Sequence, residues 1–441
     1  MISQPGQSRV SGAPSRPAIN TGDHHAIVIG SSIAGLLAAR VLSEHFARVT
    51  VIERDWLPDT PEFRRGAPQA RHAHTLLPDG QLILEEQFPG LVDELLAHGA
   101  IAIDASRDIA FFQAGTWRTP RPRETQVSIA CSRPLLETVV YRRVAARSNV
   151  RIMQGYETIG LRADERGQRV TGVRLRGRRA ADADETLLTG DVVVDASGRP
   201  SQAPRWLHSL GYMPPEEWSV NSFTGYATRI YGRPGHFAGG WKTLYVRPTP
   251  ADGPRGGVIL PMEGNRWHVT LIGIAGDYPP TDEAGFLAFA RGLPTPRLYE
   301  AVQEAEPLTK PLGFRRTENR VRRYDKLPRY LEGFLVCGDA AYALNPISSA
   351  GMTAAAMGSL ALDQCLREHR RRLSLGDVSG LAEAFQKGLS EAVSRLWHTT
   401  TQKEWQWPLT EVTDTVFRPQ PQSPPILLSG QVAHVGMGEP T

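Results

Sequence analysis

The sequence predicts an α/β fold: a Rossmann-like domain built on a parallel sheet, an antiparallel β-sheet domain laid over it, and helices toward the C-terminal end. Three observations predict it. Residues 25–29 form a short apolar run that ends at Gly30, residues 33–46 carry apolar positions at helical spacing, and residues 49–53 form a second, β-branched run, which together make a βαβ unit. Two further apolar runs, 191–195 and 334–337, end in the turns Ala196-Ser197-Gly198-Arg199 and Gly338-Asp339. Between them the texture changes to alternation of polar and apolar residues over 221–231, 242–247, 256–262 and 266–274, with Glu263-Gly264-Asn265 as a hairpin turn.

Each element has its own reason. A run buried on both faces reads as a parallel strand, whereas alternation reads as a sheet with two different faces. Helical spacing returns after Gly351, through about 371 and again over 381–397. The expected organisation is a leader over 1–22, a discontinuous domain over 23–110, 126–215 and 312–371, a sheet domain over 216–311, a helical segment over 372–416 and a tail over 417–441. The leader and tail are rich in Ser, Pro, Gly and Gln and lack an apolar period.

The chain has 441 residues, with 50 Lys and Arg against 46 Asp and Glu, a formal charge of +4. No basic block stands out, so nucleic acid is not an expected partner. Three scattered cysteines, Cys131, Cys337 and Cys365, fit a reducing compartment better than a disulfide framework. No run of about 18 apolar residues offers a transmembrane segment. A cytoplasmic protein is expected.

Gly30-Ser31-Ser32-Ile33-Ala34-Gly35 stands where a dinucleotide fingerprint belongs, after a strand and opening a helix. The first glycine makes the turn, the third lets helix pack on strand, and the helix N-terminus receives a pyrophosphate. Ser32 replaces the middle glycine. Glu53, closing the second strand, can accept ribose hydroxyls, which favours FAD or NAD over NADP. A ligand-free glycine turn remains the plain alternative. The segment Gly338-Asp339 through Asn345-Pro346 follows a strand, and Ser349-Ala350-Gly351-Met352 opens a long helix. Asp339 can hold a ribityl hydroxyl, and a helix N-terminus at the pyrimidine end of an isoalloxazine stabilises reduced-ring charge. Read alone, Asp339 is equally a turn former and Ser348 or Ser349 an N-cap.

With Asp195-Ala196-Ser197-Gly198-Arg199-Pro200-Ser201 between these two motifs, the chain resembles FAD-dependent monooxygenases of the aromatic-hydroxylase and squalene-epoxidase superfamily. It looks most like the bacterial flavin epoxidases that act on polyenes in polyether biosynthesis. The stretches carrying that resemblance are Arg64-Arg65-Gly66-Ala67-Pro68-Gln69-Ala70-Arg71-His72-Ala73-His74-Thr75-Leu76-Leu77 and Ser132-Arg133-Pro134-Leu135-Leu136-Glu137. The resemblance implies that Gly30, Ser32, Ile33, Ala34, Gly35, Glu53 and Arg54 hold the ADP half of FAD. It implies that Arg133 and Asp339 reach the phosphate and ribityl region, that Pro346, Gly351 and Met352 lie against the ring, and that Gln69 to His74 lie near it. Tyr342 stands where the family often has His, and Ser348-Ser349-Ala350 replaces a more glycine-rich turn.

Arg71, His72 and His74 are the candidate catalytic residues close to the flavin. A His-x-His pair also suits a metal, but no third ligand is near in sequence, so no metal is expected; a plain structural loop is the other reading. Phe223, Tyr226, Trp241, Tyr245 and Trp267 are candidate substrate-lining residues, with sheet core as the alternative for each. Trp397, Trp405 and Trp407 read as a packing seam or as a cavity rim.

The resemblance implies oxygen transfer from O2 through a flavin C4a-hydroperoxide to a hydrophobic natural-product intermediate. An alkene needs no general base and a phenol profits from one; none is obvious, which favours epoxidation over aromatic hydroxylation. An alkene reductase or dehydrogenase of the geranylgeranyl-reductase type shares the scaffold, and a non-catalytic flavin-binding protein is the reading from another class. No second glycine-rich fingerprint is visible, so electrons come from NAD(P)H binding transiently or from reduced flavin of a separate reductase.

Overall fold

The computed structural model describes residues 23–118, 127–179, 184–372 and 376–415; the leader and tail expected over 1–22 and 417–441 lie outside them. The chain enters through β1 (His25–Ile29), α1 (Ile33–Leu42) and β2 (Arg48–Glu53), as the βαβ reading requires. Farther on come α2 (Arg133–Ala145), β3 (Val150–Gln154) and β4 (Val192–Asp195). Ser132 caps α2, its hydroxyl accepting from the Leu135 N–H at 3.1 Å.

The second layer follows with β5 (Gly225–Gly232), β6 (Thr243–Val246), β7 (Arg255–Met262), β8 (Arg266–Gly273), α3 (Glu283–Arg291) and α4 (Arg297–Gln303). The chain returns as β9 (Phe334–Val336), α5 (Gly351–Arg372) and α6 (Leu381–Glu404).

The parallel sheet has the order β9-β4-β1-β2-β3. All neighbours in it run the same way. The carboxyl ends of β1, β4 and β9 therefore lie side by side at one edge, and the order reverses direction at β1, the place where such sheets open a ligand crevice. This geometry makes three turns, far apart in sequence, neighbours.

The antiparallel sheet has the order Leu312–Phe314, β5, β8, β7, β6, Ile109–Gln113, Thr116–Trp117. It reaches beyond the expected span 216–311 at both ends, because Ile109–Gln113 pairs with β6 and Leu312–Phe314 with β5. Glu263-Gly264-Asn265 does join β7 to β8, with Met262 opposite Arg266 and with Gly264 and Asn265 at φ 75° and 52°. Strand alternation gives this sheet two characters. One face, with Ala227, Tyr231, Trp267, Val269 and Leu271, packs on Phe286, Phe289 and Leu298 of α3 and α4. The other carries Tyr226, Thr228, Tyr245, His268 and Thr270, four of them buried and Tyr245 partly so.

The last helix runs seven residues past the expected end at Trp397. The β-branched run Thr399-Thr400-Thr401 continues it with Thr400, Thr401 and Glu404 buried, and the Thr400 and Thr401 hydroxyls donate back to the carbonyls of Leu396 and Trp397, at 2.7 and 3.0 Å. Strand Glu411–Thr415 then pairs with Glu217–Asn221. Among the described residues, no helix is long and apolar enough to cross a membrane.

Candidate functional site

The site begins where bare backbone must approach bare backbone. Gly30 sits at φ +98°, a conformation that favours glycine. A Cβ there would lie 2.7 Å from the Ala196 carbonyl oxygen, one on Gly35 would lie 1.9 Å from the Gly30 carbonyl oxygen, and one on Gly338 would lie 2.6 Å from Ala34 Cβ. The turn after β4 thus lies against the turn after β1, and the turn after β9 lies against the first turn of α1.

Asp195, fully buried, orders the middle turn by accepting from the Ser197 N–H at 2.9 Å and the Ser201 hydroxyl at 2.5 Å, and burial pushes its carboxyl up. Arg199 leaves that turn toward the last motif, donating to Glu318 Oε1 at 2.9 Å and the Leu344 carbonyl at 3.2 Å, with Asp339 3.9 Å away. Asp339 keeps a side chain 44% exposed and so faces open space.

At the ADP end the expected residues are present but already engaged. Ile33 is buried and opens α1. Glu53 Oε2 accepts from the Ser31 N–H and hydroxyl at 3.0 and 2.6 Å and pairs with Arg64 at 3.0 Å; Oε1 accepts from the Asp55 N–H at 2.9 Å. Burial acts to raise the Glu53 pKa, but Arg64 and these donors outweigh it and hold the carboxyl below its usual range. Oε1, with one of these donors, retains an acceptor position for a ligand hydroxyl.

The Ser32 hydroxyl, in the place of the fingerprint's middle glycine, donates to Glu137 Oε1 at 2.5 Å and receives Arg133 Nη2 at 3.1 Å. Arg133 also binds Glu137 at 2.8 Å. Arg54 is exposed. Arg64 and Glu137 were given no role in the sequence reading. A carboxylate four residues after Arg133 on a helix was the available signal.

The opposite wall is the polar-bearing face of the antiparallel sheet. The 3-10 turn Pro68–Arg71, with Gln69 half-buried, delivers the histidines. His72 Nδ1 meets Thr228 Oγ1 at 2.8 Å, Thr228 meets Thr270 at 2.7 Å, and the His72 ring lies 5.3 Å from Phe314 and 6.4 Å from Tyr226. His74 Nδ1 lies 2.9 Å from the His72 carbonyl. Burial takes His72 down to about 4, His74 to about 3 and His268 to about 4, so all three imidazoles are neutral at pH 7. Arg71 separates from them: it is exposed, with its guanidinium 5.1 Å from the Phe63 ring centre. Among the described residues no group of three His, Cys, Asp or Glu could hold a metal ion.

Two of the five expected lining residues are corrected. Trp241 and Trp267 stack at 6.0 Å within the core against α3 and α4, on the face turned away from the histidines. Tyr226 and Tyr245 are on the histidine side, Tyr226 donating to Asn345 Oδ1 at 3.2 Å and Tyr245 lying 3.2 Å from Thr75 Oγ1. Phe223 is half-buried in the loop before β5, at φ 51°.

Pro346 is exposed, a Cβ on Gly351 would meet open space, and Met352 shares a small cavity with His74, Leu84, Arg133 and Leu136. Of the tryptophans beyond, Trp397 packs on Tyr342, Trp407 on Tyr226, and Trp405 is exposed. The sequence reading gave no role to Glu404, which the longer α6 brings beneath Asn345; its partners are remote in sequence, and no local pattern announces it.

A bound dinucleotide fits this edge. The glycine turns leave backbone bare, and the Ser348 hydroxyl, just before the start of α5, is buried without a hydrogen-bond partner in the protein.

No known protein-family model matches the chain. It is 35% identical over 362 residues to Protein Rv3254 of Mycobacterium tuberculosis, a match spanning 80% of this chain and 75% of that protein. Its fold is that of flavin-dependent monooxygenases and halogenases. The flavin-dependent brominase Bmp2 superposes with a TM-score of 0.63 at 15% identity, covering 87% of this chain and 89% of that one. PqsL, a probable FAD-dependent monooxygenase from Pseudomonas aeruginosa, does so with a TM-score of 0.59 at 17% identity, covering 87% and 94%.

Proposed function

We propose that this chain, which belongs to one family with Protein Rv3254 of Mycobacterium tuberculosis, is an FAD-dependent monooxygenase that epoxidises an alkene of a hydrophobic natural-product intermediate. The observation that carries the proposal is the packing of the Ala196 turn on Gly30 and of the Gly338 turn on the start of α1, opposite a wall of neutral histidines and tyrosines. FAD, when bound, supplies the activation of O2.

The rest is the work of the chain's own groups. The N–H groups that open α1 receive the pyrophosphate, Glu53 Oε1 takes a ribose hydroxyl, and Asp339 takes a ribityl hydroxyl. Pro346, Gly351 and Met352, at the start of α5, would lie against the ring. Tyr226, Tyr245 and His72 roof the space where substrate lies, excluding water from the reacting centre.

The electrostatics favour an alkene over a phenol. Conjugate acids near 4 and 3 make His72 and His74 weak proton acceptors, and burial pushes the Tyr226 and Tyr245 hydroxyls up and away from ionisation. Phenol attack gains from a base that this wall does not offer. Electrons come from NAD(P)H binding transiently or from a partner flavin reductase.

The test is turnover of reduced, FAD-loaded protein with polyenes under labelled oxygen gas. One labelled atom in the product is expected. Label drawn only from water, or turnover that proceeds only without oxygen, refutes oxygen transfer and turns the reading toward an alkene reductase.

A further inference from the structure

A third sheet, in which Asn319–Arg322 pairs with Glu217–Asn221 and with Tyr342–Ala343, carries at its end a polar knot that the oxygen-transfer reading does not use. Glu404, on the last turn of α6, is 3% exposed. Its Oε1 accepts from Asn345 Nδ2 and from Asn319 Nδ2, each at 2.6 Å, and its Oε2 accepts from the Ser222 N–H at 3.2 Å. Asn345 is then held on every side: its N–H donates to Asn319 Oδ1 at 2.7 Å, and its own Oδ1 accepts from the Ile347 N–H at 3.1 Å and the Tyr226 hydroxyl at 3.2 Å. A buried carboxyl costs more than a neutral group unless several donors meet it, and here three do. They come from segments remote from one another in sequence, and Asn345 immediately precedes the turn that opens α5.

We propose that Glu404 is a positioning residue of the cofactor site: through Asn345 it fixes the turn 345–349 and the Tyr226 hydroxyl, and it brings a titratable charge to the ring end of the bound flavin. The inference rests on the FAD reading above.

Burial pushes the Glu404 carboxyl up to about 7; the Asn345 and Ser222 donors oppose that shift, and Glu318 adds to it. The charged and titratable groups facing it are few. Glu318 is itself paired with Arg199 at 2.9 Å, Tyr226 approaches from β5, and Lys403, the preceding residue of α6, has Arg247 as its charged neighbour. The carboxyl therefore passes from mostly neutral to mostly ionised between about pH 6 and pH 8. Within the knot its Oε1 accepts in either state, while the proton goes to Oε2, beside Ser222.

Two variants and two measurements test this. E404Q mimics the neutral carboxyl and keeps an acceptor oxygen for the two asparagines; E404L removes the acceptor. In the full chain without flavin, the thermal midpoint of the native protein should fall relative to E404Q as pH rises from 6 to 8. In the FAD-loaded chain, the absorption band of bound oxidised flavin should shift with a midpoint near pH 7 in the native protein and stay constant in E404Q. FAD affinity is expected to hold within about threefold in E404Q and to fall about tenfold or more in E404L.

Parallel pH profiles for the native protein and E404Q without flavin would overturn the knot itself. A normal flavin-free difference with a bound-flavin spectrum indifferent to Glu404 would overturn the positioning role alone. A normal flavin-free difference in a chain that binds no FAD would overturn the FAD reading and the positioning role with it. Should E404L fail to fold, the E404Q comparison still decides.

Discussion

Replacing Arg64 by methionine keeps most of the side-chain volume and removes the charge that three buried carboxylates share. Arg64 lies 3.0 Å from Glu53, 3.7 Å from Glu137 and 3.9 Å from Asp55, and all four side chains are at most 12% exposed. Glu137 keeps Arg133 at 2.8 Å and Asp55 keeps Arg178 at 3.3 Å, so Glu53 bears the loss. Breaking a buried pair costs roughly 3–5 kcal/mol. A stranded carboxyl has an escape, which is to take up a proton. That route costs about 1.4 kcal/mol for each pH unit above its ordinary pKa of 4.5. At pH 7 the ceiling for Glu53 is therefore about 3.4 kcal/mol, and at pH 5 it is under about 1 kcal/mol.

The sign follows. In the native protein the depressed Glu53 pKa contributes stability that is present above pH 4.5 and lost as pH falls through the folded value; in R64M the folded value rises, and the penalty grows with pH. Urea unfolding at pH 5 and pH 8 should show a small deficit for R64M at the lower pH and about 3 kcal/mol at the higher, with E53Q/R64M recovering most of it. A deficit below about 1 kcal/mol at pH 8, or one equal at both pH values, would refute the assignment of Arg64 as counter-ion to Glu53.

Other expectations follow from single features. In G35A the new methyl would overlap the Gly30 carbonyl oxygen, so α1 must move off β1; FAD retention through gel filtration should be lost while most of the circular-dichroism signal remains. W267A should lose roughly 3–5 kcal/mol in urea unfolding, from a side chain 1% exposed, yet leave product identity unchanged because Trp267 lies on the far face of the sheet. His72, His74 and His268, held neutral by burial with folded values near 4, 3 and 4, contribute stability present above pH 6.5 and lost as pH falls toward those values. Stability should therefore decline steeply below pH 6, by about 3 kcal/mol per imidazole near pH 4, and replacing His72 and His268 by glutamine should flatten that acid limb.

What the sequence displayed is what local physics determines. A strand covered on both faces must be apolar throughout, so Ala26-Ile27-Val28-Ile29 and Val192-Val193-Val194 could be read directly, and positions where a Cβ would collide with a neighbouring segment must be glycine, so Gly30, Gly35 and Gly338 stood out. The antiparallel sheet posed a harder question. Alternation separates Tyr226 from Tyr231, five positions apart, and registry sets Trp267 opposite Tyr231, but the aromatic residues themselves do not say which set faces the cofactor side. The choice is made by α3 and α4, whose apolar side chains cover Trp267. One signal was available: the positions alternating with that apolar set, Thr228, His268 and Thr270, are polar, and polar residues spaced by two along a buried strand mark the face that must supply hydrogen-bonding partners. Glu404 had no such signal. Its helix continues through three threonines that propensity would end, and its meaning arises only when Asn319, Asn345 and Ser222 arrive from segments remote in sequence. The glycines and strands of such a site can be read locally, whereas polar atoms that remote segments bring to one buried carboxyl acquire their roles only once the chain has folded.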